Sequence, residues 1–215
     1  MTMASSGTRL IPTNRGRPRD HRIDEAVLAA TMRLLEEGGY ADFTLEAVAV
    51  RAGTTKPAIR RRWPSRRHLV VDALVATMGD APTPDTGCTH CDLIAGIATL
   101  TAAFAGPGTR RVWPALVADI AADPALAEDF FTRLFDPRRA ATATALRRGI
   151  DRGDIRPDAD LDLLLDLLAS TTYYRALFGH LPITDTLAED IVMIVMSGVA
   201  TPSWRAQHER PHVQP

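Results

Sequence analysis

The side chains best suited to binding chemistry crowd into one stretch, in which Thr54, Thr55, Lys56, Ala58, Arg60, Arg61 and Arg62 lie within nine residues. They supply hydroxyls, one ammonium and three guanidiniums, donors that match phosphate oxygens and the acceptor edge of guanine in the major groove. Such donors read a duplex only when a rigid element carries them, and the flanking residues specify one. Thr44 precedes an apolar-periodic run, Leu45, Val48, Ala49 and Ala52, and can cap a first helix by accepting from its free amides. Gly53 follows the last periodic residue, where a left-handed turn suits glycine. Thr54 or Thr55 can cap a second helix, with Pro57 in its first turn, where the missing N–H is not needed. Ile59 and Trp63, four residues apart, then face the first helix and leave the polar and cationic groups outside. Two short helices at a tight turn, the second cationic, are the helix-turn-helix device that lays a recognition helix in the major groove of double-stranded DNA. The competing reading of Arg60, Arg61 and Arg62 is a merely solvated charged face. The turn-defined second helix argues against it.

Charge supports a nucleic-acid partner. The chain has 215 residues and a net charge of −1, yet residues 1–70 hold 13 Arg and Lys against 7 Asp and Glu, while residues 71–215 hold 12 against 19. One end is basic and the body acidic, as suits polyanion binding by one end only. Lys56 is the sole lysine in a chain otherwise given to arginine and alanine, a bias that fits a GC-rich genome and hints at a specific contact. Residues 1–19 are Ser, Thr, Pro, Gly and Arg without periodicity and read as a flexible basic arm. Arg15, Arg17 and Arg19, set around Gly16 and Pro18, fit either a narrow minor groove or non-specific phosphate contact. No stretch approaches the roughly 20 apolar residues of a membrane span and no signal core is evident, so a soluble, cytoplasmic protein without a membrane partner is expected.

The periodicity predicts an all-α fold. A first helix over about 20–37 ends at Gly38-Gly39, and a fourth, capped by Ser65, runs to about Met78. The helix-turn-helix domain is thus placed at 20–75, a ligand-binding and dimerisation domain at 76–205, and a disordered tail at 206–215. Within the body, helical patterns cover about 91–105, 109–122, 124–152, 159–179 and 185–199, with Pro137 either kinking the third or dividing it in two. Leu161, Leu164, Leu165 and Leu168 form one stripe, while Leu163 and Leu167 point elsewhere. The last helix is likewise apolar on two sides, with Leu187, Ile191, Ile194 and Val195 against Val192, Met193, Met196 and Val199. Two-sided burial near a C-terminus predicts a homodimer through a four-helix bundle, which would set two recognition helices on successive half-sites.

This combination resembles the TetR family of bacterial one-component transcriptional regulators. The resemblance rests on residues 43–53, Phe-Thr-Leu-Glu-Ala-Val-Ala-Val-Arg-Ala-Gly, and on Lys56, Ile59, Trp63, Pro64-Ser65 and Leu69; the Tyr173-Tyr174-Arg175 stretch looks like an actinobacterial subgroup. It implies a three-helix headpiece and a body that binds a small-molecule effector and dimerises. It further implies that Thr44 contacts phosphate, that Thr55 and Lys56 approach bases or phosphate, and that Arg60 and Arg61 reach backbone or guanine. Many members carry tyrosine at the Arg60 position, so the operator does not follow from other members.

Phe104, Trp113, Phe130, Phe131, Phe135, Tyr173, Tyr174 and Phe178 are the candidate lining of an effector pocket, with Arg175 and His180 as polar candidates. Tyr173 and Tyr174 lie about 100° apart on a helix, so only one can face a given cavity. Cys88-Thr89-His90-Cys91 could bind metal or form a redox disulfide, but no second Cys/His pair completes four zinc ligands, and an ordinary loop thiol pair is the simpler reading. No cofactor or metal is expected. The sequence has no phosphate loop, nucleophile elbow or zinc-protease motif, and His21, His68, His208 and His212 stand apart from nucleophile patterns, so no enzyme is expected. The expected function is a ligand-responsive, sequence-specific repressor; the alternatives are a nucleoid-type binder acting through the arginine arm and a thiol or metal sensor built on Cys88 and Cys91.

Overall fold

The computed structural model describes residues 21–78 and 83–208; Arg15, Arg17 and Arg19 therefore lie outside the described residues. Among these residues the chain is helical, with a single isolated bridge between Ile155 and Ala200. The headpiece comprises α1 (His21–Gly38), α2 (Leu45–Arg51), α3 (Lys56–Arg60) and the first half of α4 (Arg66–Met78). The body adds α5 (Thr89–Ala105), α6 (Pro107–Ala122), α7 (Pro124–Phe130), a π-helical segment (Phe131–Phe135), α8 (Asp136–Asp151), α9 (Leu161–Phe178), α10 (Leu187–Val199) and α11 (Pro202–His208).

Helix α1 buries Val27, Ala30, Thr31 and Leu35, one stripe at helical spacing, against α4 and α6. Helix α4 is apolar nearly all round, burying Leu69, Val70, Val71, Ala73, Leu74 and Met78, because headpiece and body press on it from two sides. A second core, around Leu93, Leu146, Ile155, Leu168, Val192 and Met196, joins α5, α8, α9 and α10.

The predicted 124–152 segment is divided near Pro137 into α7 and α8, with a π-helical segment between them. Helical backbone runs from Pro124 to Asp151, and the wider π turn at Phe131–Phe135 delivers the proline into the first turn of α8, where it removes no needed donor. Helix α11 occupies Pro202–His208 and so reaches into the stretch read on sequence as tail. Its start is locally encoded, since Thr201 Oγ1 accepts from the amide of Trp204 at 3.3 Å and Pro202 follows the cap.

Close packing of α5 on α8 depends on Gly149. A Cβ there would lie 2.7 Å from Thr89 Cγ2 and 3.0 Å from Ile155 Cδ1. Gly149→Ala is therefore expected to destabilise the protein by about 1–3 kcal/mol in urea unfolding although alanine is the better helix former. An unchanged or raised midpoint would show that the two helices separate without penalty.

Candidate nucleic-acid interface

The turn between α2 and α3 is built from local hydrogen bonds. Thr44, extended at φ −127°, accepts from the amide of Ala47 at 3.2 Å and starts α2. Gly53 ends it at φ +63°, with the amide of Thr54 donating back to the carbonyl of Ala49 at 2.9 Å. Thr55, and not Thr54, caps α3, its Oγ1 accepting from the amide of Ala58 at 3.3 Å. Ile59 and Trp63 are 1% and 3% exposed beneath this pair. The Trp63 indole N–H donates to Asp72 of α4 at 2.7 Å, which fixes the end of α3 to the next helix.

Outside that anchor, Thr55, Arg60 and Arg61 are exposed, with Thr54, Lys56 and Ala58 partly covered beside them. Lys56 forms an ion pair with Glu46 across the turn, and its ammonium holds the Glu46 carboxyl below the usual carboxylate range. A pair this open to water is weak, so a phosphate or guanine acceptor can replace Glu46 at little cost. Arg62, grouped on sequence with the groove-facing arginines, points the other way. Its Nε lies 2.5 Å from Asp24 of α1 and its Nη1 donates to the carbonyl of Ala58 at 3.3 Å, so it braces the headpiece from within.

Two residues not assigned to DNA contact on sequence, Arg66 and the helix cap Ser65, adjoin this surface. Arg66 is exposed at the start of α4, donates to the carbonyl of Phe43 at 3.1 Å and lies over the Tyr40 ring at 5.4 Å. Ser65 Oγ accepts from the amides of Arg67 and His68 at 3.2 and 3.4 Å. With Thr44, Lys56 and Arg60, these residues line a cleft of about 690 Å³ where α2, α3 and α4 converge. Pro64-Ser65-Arg66 is a cap followed by a cation, and that was the available signal.

Polar ties carry the headpiece into the body. Tyr40 donates to Asp119 of α6, an interaction that together with burial pushes the phenol above its usual pKa. Arg67 meets the same Asp119 at 3.1 Å, and Arg133 of the π segment pairs with Asp72 of α4.

Beside the C-terminal end of α4, the body holds a cavity of about 60 Å³ between α5, α8 and α9, lined by Ile97, Leu100, Phe135, Arg138 and Tyr173 among others. Tyr173 stacks on Trp113, centroids 5.3 Å apart and planes at 20°, and meets Phe104 edge-on. Of the aromatic candidates, Phe135 and Tyr173 reach this cavity, Phe104 and Trp113 back Tyr173, and Phe130 is buried beside Trp113. Phe131, Tyr174 and Phe178 do not face it: they are 43%, 57% and 64% exposed, because the helical step from Tyr173 to Tyr174 turns the second ring to the outer face of α9. His180 packs on Tyr174 out there, and Arg175 donates to the carbonyl of Pro182 at 2.7 Å.

On that outer face Leu163 and Leu167 of α9 and Ile194 of α10 stand exposed around a groove of about 490 Å³. Cys88, the extended residue that precedes α5, and Cys91 in the first turn of that helix are disulfide-bonded. His90 lies between them, its Nδ1 3.3 Å from Cys88 Sγ, and packs edge-on against Trp204 and His208 of α11.

A headpiece that displays cations on a capped second helix, joined by one helix to an all-helical body, defines a helix-turn-helix transcriptional regulator. Residues 27–73 match the family of bacterial regulatory proteins of the tetR type, and residues 83–195 match a tetracyclin repressor-like C-terminal domain. The chain belongs to the TetR family. It is 33% identical over 192 residues to the uncharacterized HTH-type transcriptional regulator YdeS of Bacillus subtilis, covering 89% of this chain and 96% of that one. It is 30% identical to the DNA-binding transcriptional repressor TetR of Mycobacteroides abscessus, covering 80% and 92% of the two chains. Among solved structures, a TetR family transcription regulator at 30% identity superposes with a TM-score of 0.67 over 84% of this chain and all of that one.

Proposed function

We propose that the protein is a repressor that binds a palindromic operator as a homodimer and leaves it when a small molecule enters the body. The observation that carries this reading is the course of α4. It begins at the cationic cleft with Ser65 and Arg66, and the carbonyl of its last residue, Met78, accepts from Arg138, which lines the body cavity, so one helix links the two. An effector with unequal affinity for two positions of α4 would shift the headpieces between spacings that fit the operator and spacings that do not. The outward apolar face of α9 and α10 supports the dimer, since a monomer would leave Leu163, Leu167 and Ile194 in water. The basic arm, through Arg15, Arg17 and Arg19, adds phosphate or minor-groove contact in this reading.

The test is binding of the purified protein to the DNA flanking its own gene, against random DNA of equal length, at two salt concentrations. A preference of about a thousandfold or more for one palindromic site is expected; salt-sensitive binding without preference would favour an architectural role carried by charge alone. In the same assay Lys56→Ala should weaken operator binding by about 1–3 kcal/mol and random binding far less. Equal losses on both would remove Lys56 from the base-reading surface.

A further inference from the structure

Arg138 sits in an unusual environment for a guanidinium. It projects from α8 into the cavity beside α4, α5 and α9, half-buried, and among the described residues no carboxylate pairs with it. Its neighbour Arg139, by contrast, is taken up by Asp162 and Asp166 at 3.0 and 2.6 Å. Arg138 has two neutral acceptors instead: Nη2 donates to Thr99 Oγ1 at 2.6 Å, and Nη1 donates to the backbone carbonyl of Met78 at 3.0 Å. Burial, the dominant influence on this group, lowers its pKa from the ordinary arginine value. Across the same cavity, the largely buried Tyr173 makes no hydrogen bond from its hydroxyl to a described residue. Ile97, Leu100, Phe135, Leu165 and Ala169 form an apolar part of the remaining wall, and Thr83, Thr99, Thr142 and the ion-paired Arg139 a polar part.

A half-buried cation without a carboxylate partner, an idle hydroxyl and a partly apolar wall are together complementary to a ligand with one anionic end and a small hydrocarbon body. Resting on the effector-responsive reading above, we propose that the cavity takes a compact organic carboxylate, with its anionic head on Arg138 and Tyr173, and that this head draws Arg138 away from the Met78 carbonyl. A single available guanidinium suits a monoanion better than a phosphate, and the cavity of about 60 Å³ must widen to about 150 Å³ before it holds a single-ring or short aliphatic body. The Met78 carbonyl is the last of α4, the helix that carries the headpiece. Arg138 completes that helix end, placing a cation at the negative pole of its dipole. Capture of the guanidinium by a carboxylate removes this tie and frees the end of α4. Ligand chemistry is thereby coupled to headpiece position through one hydrogen bond.

The experiment titrates the intact protein, free and bound to its operator, with benzoate and hexanoate and with their uncharged counterparts benzamide and hexanamide. At least one carboxylate is expected to bind about tenfold or more tighter than its amide and to release the DNA. Arg138→Met should abolish that preference and also lower operator affinity about threefold or more with no ligand present, because the α4 tie is already gone. Faster amide hydrogen exchange at the C-terminal turn of α4 should accompany it. Tyr173→Phe, which keeps the packing on Trp113, should weaken carboxylate binding alone and guards against a fold defect in the first variant. Operator binding that is intact, together with amides equal to carboxylates or no binding by either, overturns this inference and leaves the repressor reading standing. Loss of operator preference in the wild-type protein would instead overturn the repressor reading.

Discussion

Glutamate at both Leu167 and Ile194 is expected to convert the protein to a monomer in analytical ultracentrifugation and to lower operator affinity about a hundredfold or more. Leu167 is 46% and Ile194 73% exposed, on the outer surfaces of α9 and α10, while the inward neighbours Leu164, Leu168, Ile191 and Val195 already fill the protein's own core. The two substitutions therefore leave the fold intact and act on whatever covers that face. Covered by a second copy, the glutamates would be carboxylates deprived of water without a partner. The loss on DNA follows from tethering, since the second headpiece reaches its half-site at an effective concentration that a free monomer lacks, worth a factor of about 10² to 10⁴. Circular dichroism of the variant should match the wild type. A variant that stays dimeric would place the subunit contact on another surface, and a monomer that binds the full site undiminished would show that pairing is unnecessary.

The second large effect is expected at Trp63. Its ring fills the space under α2 and α3 at 3% exposure and its N–H donates to Asp72 at 2.7 Å. Trp63→Ala should destabilise the protein by about 3–5 kcal/mol in urea unfolding, a substantial fraction of a typical domain's stability. Trp63→Phe separates the contributions, because it retains most of the apolar volume and removes the donor; about 1–2 kcal/mol is expected from that change. Asp72 keeps its ion pair with Arg133 in either variant, so the carboxylate is not stranded. A loss below about 1 kcal/mol for the alanine variant would mean that the headpiece closes over the void.

What could be read in advance follows the range of the interactions. Thr44, Gly53 and Thr55 act on amides and carbonyls within five residues, so capping chemistry alone specifies the turn. Phase along a helix separated Tyr173 from Tyr174, although it could not say which one faced inward. Arg62 was grouped with the groove-facing arginines because its partner, Asp24, is 38 residues away on α1, and only the tertiary fold of the headpiece brings them together. Arg138 gave no signal at all: in sequence it is one of two adjacent arginines, and only the fold gives Arg139 two aspartates and its neighbour none. The exposed leucines on α9 were legible as a second apolar face, because helical phase says how many sides are greasy even when it does not say what covers them.

The buried cluster that begins in α1 continues without a break: Val27, Val48, Ile59, Trp63 and Leu74 belong with Leu100, Phe104, Trp113 and Leu126 of the body. The headpiece is therefore not a cartridge. Residues 21–78 cut away on their own would expose one wall of α4 and the α6-facing side of α1, and transplanting them onto another regulator's body would set two unmatched halves of one interior against each other. A chimaera that works would have to exchange α6 along with the first four helices, since the seam between reading DNA and sensing chemistry runs through packed side chains and not through the chain segment that joins them.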